Sequence, residues 1–339
     1  MVPKKLLVIR FSAMGDVAMT MPVIHSLATQ HPEIQITMLT RKHLAPLFQW
    51  MPANVECMGI DLKEYDGIGG LNRLYKELKA LGFDAVADIH DVLRTKFLSM
   101  RFRLSGCRVA VIDKGRKDKK ALIGHGMESD ALMPMTERYR AVFDKLGYDF
   151  KLTFDRIRPD EAQLREFGSR GILPDAGDAP LIGIAPFAAH EGKIYPLDKM
   201  RRVAEMLAER GARVYLFGAG RQEKEILESW ERDGIESVAG KLGGLTNELL
   251  LMSRLRLMIS MDSSNMHMAA MMGTPTLSVW GATHPKAGFL AWGQTLDSVV
   301  QTELKCRPCS VYGNKPCQFG DYRCMNAITP EEIVNRVQL

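Results

Sequence analysis

A buried strand that stops abruptly at an acid is the feature that most constrains this chain. Lys4-Lys5-Leu6-Leu7-Val8-Ile9-Arg10 reads as that strand, and Phe11-Ser12-Ala13-Met14-Gly15-Asp16 breaks it. An apolar run begins at Val17 and carries Pro22 in its first turns. Strand, small-residue turn and helix place Gly15 and Asp16 at the carboxyl end of a first parallel strand, where ligands collect in open α/β sheets. The bland alternative is a helix cap, with the Asp16 carboxylate accepting an N–H of the first turn. Position alone does not separate the two.

The pattern that follows is repetitive. Leu6–Ile9, Gln35–Leu39 and Ala85–Ile89 read as strands. Val17–Gln30, a short segment near His43–Trp50, and Leu71–Leu81 read as helices, the last with Leu71, Leu74, Leu78 and Leu81 on one face. Residues 155–180 are rich in Asp, Pro and Gly and read as an inter-domain linker. The rhythm then restarts, with strands at Leu181–Ala185, Val214–Phe217, Leu257–Ser260 and Thr276–Val279. Helices fall at Leu197–Arg210, Gln222–Asp233, Leu245–Arg254 and Asn265–Met272. This βαβ alternation predicts an α/β protein with two Rossmann-like parallel sheets, one in 1–165 and one in 175–339. A length of 339 residues suits two domains of ~150 residues each.

No run approaches ~18 uninterrupted apolar residues, so no transmembrane helix is expected. The apolar run at Leu6 is too short for a secretory signal. Both readings predict a cytoplasmic protein with reduced thiols.

Five further segments carry chemistry. Met261-Asp262-Ser263-Ser264-Asn265-Met266-His267 follows a strand and opens a helix. Its N-terminal N–H groups, the positive end of the helix dipole and two hydroxyls suit a phosphate or diphosphate. Simple capping by Asp262 or a serine is the alternative, and His267 alone reads as a core histidine. Ala185–Pro196 leaves a strand as a small-residue loop and presents Lys193, which suits a diphosphate leaving group or, equally, a solvated surface. Phe217-Gly218-Ala219-Gly220-Arg221-Gln222-Glu223 is a glycine turn with an acid behind it, but it lacks the third glycine of a dinucleotide fingerprint.

Ten Lys/Arg lie between Arg94 and Lys120, opposed only by Asp113 and Asp118. In a chain of net charge +5 this suggests an anionic partner. Nucleic acid is one candidate, though aromatics limited to Phe97 and Phe102 do not make a stacking platform; an anionic lipid headgroup or a phosphorylated acceptor at a membrane surface fits the run as well. Finally, Cys306, Cys309, Cys317 and Cys324 fall within nineteen residues. Four thiolates could hold a structural zinc. The spacing is not that of a common finger or ribbon, and reduced thiols are the alternative.

Taken together these segments resemble the lipopolysaccharide heptosyltransferases of glycosyltransferase family 9. The resemblance rests on Ser12-Ala13-Met14-Gly15-Asp16-Val17, on Gly183–Pro196, and on Asp262–Ala270 followed by Gly273-Thr274-Pro275. It also rests on Gly281-Ala282-Thr283-His284-Pro285 and on the cysteine-bearing tail. It implies a GT-B fold, with two Rossmann-like domains facing a central cleft. It implies inverting, metal-independent transfer of a heptose from ADP-heptose, with no cofactor, to an anionic lipid-linked core acceptor. The acceptor would lie near Arg94–Lys120, with peripheral contact at the inner face of the inner membrane and no nucleic acid. The family's base maps to Asp16 and its phosphate-binding lysine to Lys193. Its diphosphate loop maps to Asp262, Ser263 and Ser264, and its ribose acid to Glu223.

The chain departs from the family pattern where Ser264 replaces a glycine, Ala188 and Ala189 replace hydroxyl residues, and Met19 replaces a histidine. These departures leave the donor sugar and base open. A different donor on the same fold, a sugar-nucleotide epimerase or hydrolase, and a non-catalytic polyanion-binding protein are the competing readings.

Overall fold

The computed structural model describes residues 2–125, 130–169 and 179–339. They form two compact units. The first comprises Met1–Lys114 and Met135–Ile157, the second Gly115–Pro134 and Arg158–Leu339. Residues 115–134 thus group with the second unit, whereas the sequence boundaries put them in the first. The stretch read as a linker contains a helix, Glu161–Ser169, and its residues 170–178 lie outside the described set.

The first unit is built on a five-stranded parallel sheet in the order β3-β2-β1-β4-β5. Its strands are β1 (Lys5–Ile9), β2 (Gln35–Arg41), β3 (Val55–Ile60), β4 (Ala85–Asp88) and β5 (Arg108–Val111). Its helices are α1 (Met14–Ala18), α2 (Met21–Gln30), α3 (Gly67–Ala80) and α4 (Leu93–Leu104). The second unit contributes α5 (Arg116–His125), and α6 (Met135–Asp144) returns to the first.

The single helix expected over Val17–Gln30 is two. Pro22 lacks an N–H and sits in the first turn of α2, where that donor is not needed, so the helix restarts there. Thr20 donates its hydroxyl to the Val17 carbonyl at the break, 2.7 Å. Helix α3 buries Leu71, Leu74 and Leu78 as its periodicity predicts. Leu81 does not join them, because the helix ends at Ala80 and Gly82 adopts the left-handed conformation that closes such ends. Leu74 and Leu78 pack with Leu7, Ile9, Val86, Leu98 and Phe102 into one core.

The second unit holds a six-stranded parallel sheet in the order β11-β10-β9-β6-β7-β8. After α7 (Glu161–Ser169) come β6 (Leu181–Ala185), α8 (Leu197–Glu209), β7 (Arg213–Leu216), α9 (Gly220–Glu228), β8 (Ile235–Ser237) and α10 (Leu245–Met252). Then follow β9 (Leu257–Met261), α11 (Ser264–Met271), β10 (Thr276–Trp280), β11 (Val299–Gln301), α12 (Arg323–Asn326) and α13 (Pro330–Val334). Strands β6 and β9 are central and almost wholly buried, as continuous apolar runs in a parallel sheet should be.

In each sheet the strand order reverses once, between β1 and β4 and between β6 and β9. Such switch points open a crevice at the carboxyl ends of the strands. The loops that leave those four strands are therefore where each unit offers a ligand site.

Candidate active site

In the first unit the loop after β1 carries Asp16 in the first turn of α1. Asp16 Oδ2 accepts from Arg10 Nη2 at 2.8 Å and from the Ala13 N–H at 3.3 Å. The capping contact is thus real, and an ion pair is added to it. Both contacts use Oδ2. Among the described residues none is made to Oδ1, and the side chain is 29% exposed. One carboxylate oxygen is fixed and the other is open to a ligand. Gly15 occupies the preceding position of α1.

Arg10 is buried and donates to the Ile89 carbonyl, and its guanidinium lies 5.4 Å from the Tyr139 ring centroid. Burial pulls its pKa down, but Tyr139 and Asp16 outweigh this and the net direction is up. The Tyr139 hydroxyl donates to the Asp16 carbonyl at 3.4 Å.

The loop after β4 braces the same turn. His90 Nδ1 accepts from the Phe11 N–H, and Nε2 meets the Ser12 hydroxyl, both at 3.3 Å. Burial, with Arg10 and Lys114 nearby, pushes His90 down to about 4, so the ring is neutral at pH 7. Asp88 fixes this loop by accepting the N–H groups of His90 and Asp91. Sequence reading missed Arg10, His90 and Tyr139 as site residues. Only Arg10, the one charge at the end of an apolar strand, left a signal.

In the second unit the loops after β6 and β9 meet. Lys193 Nζ pairs with Asp262 Oδ2 at 2.8 Å, with side chains 16% and 8% exposed. The same oxygen accepts the Thr283 hydroxyl at 2.9 Å. Lys193 is therefore not a solvated surface lysine. Helix α11 starts directly after Asp262, and its N-cap residue Ser263 makes no capping hydrogen bond. The Ser263 hydroxyl instead meets Ser260 Oγ at 3.1 Å. The first-turn N–H groups of α11 thus lack a side-chain cap, which leaves them to a ligand with Ser263 and Ser264 beside them. His267 is buried, as expected of a core histidine.

The loops can approach only because two residues lack side chains. The Gly192 carbonyl accepts from the Ala282 N–H, and a Cβ on Gly281 would lie 2.7 Å from that carbonyl oxygen. Arg307 locks the arrangement. It is fully buried and donates to the carbonyls of Gly281, Thr283 and Thr302 and to Gln301 Oε1. It thereby holds the loop that presents Thr283 to Asp262. Burial lowers its pKa. Nothing in the sequence marked Arg307 apart from its place between two cysteines.

Glu223 stands apart from this cluster's hydrogen bonds. Its Oε2 accepts the Ala219 N–H at 2.7 Å, capping its own helix.

Among the described residues no group of three or more His, Cys, Asp or Glu side chains is arranged to hold a metal ion. The zinc considered at Cys306, Cys309, Cys317 and Cys324 is not supported. Burial pushes the Cys309 and Cys324 thiols up, and Cys309 Sγ faces the Ala282 carbonyl. Burial also opposes ionisation of Cys317, but backbone N–H groups outweigh it and its net direction is down.

The basic run divides between the two units. Arg94, Lys96, Arg101, Arg103, Arg108 and Lys114 lie in the first unit, and Arg116, Lys117, Lys119 and Lys120 in the second. Lys119 is buried, 4.7 Å from the Phe289 ring centroid. Arg94 instead joins Arg41, Lys42, His43 and Lys63 around a cavity of about 700 Å³ at the ends of β2 and β3, with Asp61 and Asp66 on its wall. Among the described residues no helix is long and apolar enough to cross a membrane.

The model of glycosyltransferase family 9 (heptosyltransferase) matches residues 71–319. Lipopolysaccharide heptosyltransferase 3 of Escherichia coli K12 is 27% identical over 311 residues, 85% of this chain and 84% of that protein. The solved structure of E. coli ADP-heptose LPS heptosyltransferase II has a TM-score of 0.74 at 20% identity, covering 98% of this chain and 97% of that one. E. coli heptosyltransferase WaaC with ADP-2-deoxy-2-fluoro heptose has a TM-score of 0.64 at 20% identity, covering 91% and 97%. These likenesses identify the α/β architecture as GT-B, and the family match covers most of the chain. The chain belongs to glycosyltransferase family 9, the heptosyltransferases, and is a glycosyltransferase.

Proposed function

We propose that this glycosyltransferase moves a heptose from ADP-heptose to a phosphorylated, lipid-linked core acceptor of lipopolysaccharide, with inversion and without a metal. The observation that carries the reading is the Lys193–Asp262 pair beside the uncapped start of α11, at the switch point of the second sheet. A nucleoside diphosphate needs such a seat, because negative charge accumulates on it as the sugar departs. Lys193 and the α11 N-terminus meet that charge, with Ser263 and Ser264 as hydroxyl donors. Glu223 accepts the ribose hydroxyls through the oxygen not used in capping.

Asp16 is the base. The acceptor oxygen attacks the anomeric carbon as the bond to the diphosphate oxygen breaks. The acceptor proton passes to Asp16 Oδ1 while Arg10 holds Oδ2. The acceptor belongs with the first unit, where the cationic cavity around Arg41, Lys42, Lys63 and Arg94 suits its phosphates. The donor belongs with the second. The relatives' printed names support the sugar, the nucleotide and the lipopolysaccharide acceptor.

Thermal-shift titration with ADP, UDP and GDP tests the donor. Selective stabilisation by ADP is expected, and equal shifts would overturn the ADP assignment. Transfer should persist in excess EDTA, and its loss, restored by a divalent cation, would overturn the metal-free step.

A further inference from the structure

Helix α4 has two apolar faces. With about 100° between successive residues, Thr95, Leu98, Ser99 and Phe102 share one side, and all four are buried against the sheet and α3. Leu93, Phe97, Met100 and Leu104 fall within about 60° of arc on the opposite side. Leu93 is 87% exposed, Leu104 76% and Met100 50%, while Phe97 is half-buried and packs inward against the core. Single exposed apolar residues are ordinary. A stripe of them on a helix that already has a buried face is not, because neither the fold nor helix propensity calls for it.

The charges around the stripe are one-sided. In Leu93–Leu104 there are four cations and no acid. Lys96 and Arg103 flank the stripe on one side, Arg94 and Arg101 on the other. Lys96 and Arg94 each reach an acid outside the helix, Asp91 at 3.4 Å and Asp66 at 2.9 Å, and Arg101 lies over the Tyr75 ring. Arg103 makes no ion pair among the described residues. Ile68 is 76% exposed in the first turn of α3, whose N-cap Asp66 holds Arg94.

We propose that this face of α4 docks on an anionic lipid bilayer. A helix lying in the interface sinks its apolar stripe among the acyl chains. The flanking Lys and Arg stems run up to the phosphates. The positive charge selects an anionic surface and draws the protein to it from solution. Arg94 belongs both to this face and to the cationic cavity of the same unit, so docking sets the cavity at headgroup level. This inference rests on the reading of the acceptor as lipid-linked, and it names the surface on which the first unit meets that acceptor.

The test uses the full-length protein with phosphatidylcholine vesicles, either pure or containing about one-third phosphatidylglycerol. Wild type should co-sediment with the anionic vesicles, weakly with neutral ones, and less as salt rises. The triple variant Leu93→Ser/Met100→Ser/Leu104→Ser should lose at least tenfold in vesicle partitioning, and Lys96→Gln/Arg103→Gln should lose several-fold. Both should keep the wild-type melting temperature and turnover on a deacylated, water-soluble acceptor, and lose turnover on the acceptor embedded in vesicles.

Wild-type partitioning by the triple variant would overturn the proposal. So would light scattering that shows a lipid-free dimer which the triple variant dissociates, because the face would then seat a second copy. Loss of vesicle binding in the triple variant, with no heptosyl transfer by wild type to either acceptor, would support the surface and count against the functional reading alone.

Discussion

Lys193 and Asp262, sixty-nine residues apart, are joined at 2.8 Å through side chains that are almost entirely shielded from water. The pair explains how a lysine on a small-residue loop is held at the start of a helix instead of waving in solvent. Asp262 Oδ2 also takes the Thr283 hydroxyl, so three loops are tied at one oxygen.

Removing the cation should be costly for chemistry and also for folding, because it leaves the buried Asp262 carboxylate without its partner. Lys193→Met is expected to lower kcat by ~10²–10³, the usual loss when one donor to a developing anion is deleted. Steady-state kinetics with saturating acceptor measures this. A change confined to donor KM would mean that Lys193 binds the ground state and the departing diphosphate equally.

Arg307 should matter through the loop it holds. Arg307→Met leaves three carbonyls without their donor in a dry environment. The expected loss is ~3 kcal/mol, which lowers the melting temperature by about 6–10 °C for a unit of this size. Arg307→Lys should recover only part of it, because an ammonium cannot reproduce the planar fork. Below the melting transition, donor KM should rise while acceptor KM stays near wild type.

His90 makes the first unit sensitive to acid. Its pKa is about 4 when folded and ~6.5 when unfolded. Between those values the unfolded chain binds the proton that the folded ring refuses. The contribution is therefore fully present above pH 6.5, and is lost as pH falls from 6.5 to 4. His284 is pushed down to about 4 by burial and acts in the same direction in the second unit. Melting temperatures between pH 7 and pH 4.5 should fall less steeply in His90→Gln than in wild type.

Much of the fold was legible because parallel sheets leave a strong signature. The β6, β9 and β10 runs are continuous apolar segments bounded by turns, and the structure keeps them nearly to the residue. Short or edge strands such as β3, β5 and β11 were missed, since Val55–Ile60 and Arg108–Val111 mix polar and apolar residues without clean alternation. Helix α4 escaped notice for a related reason: apolar residues on both its faces blur the period.

At the candidate site, loops between strand and helix pointed to Asp16, Lys193 and Asp262. Their partners were invisible. Arg10, His90, Thr283 and Arg307 reach the site through contacts of 21 to 79 residues' separation, or through backbone carbonyls that carry no sequence mark.

The central claim is that Asp16 takes the acceptor proton. Asp16→Asn keeps the shape and the Ala13 contact but removes the basic oxygen. Assayed for sugar transfer alongside ADP-induced thermal stabilisation, the variant should lose ~10²–10⁴ in kcat while the ADP shift stays at the wild-type value. Near-normal turnover in Asp16→Asn would contradict the account and leave Asp16 as a helix cap.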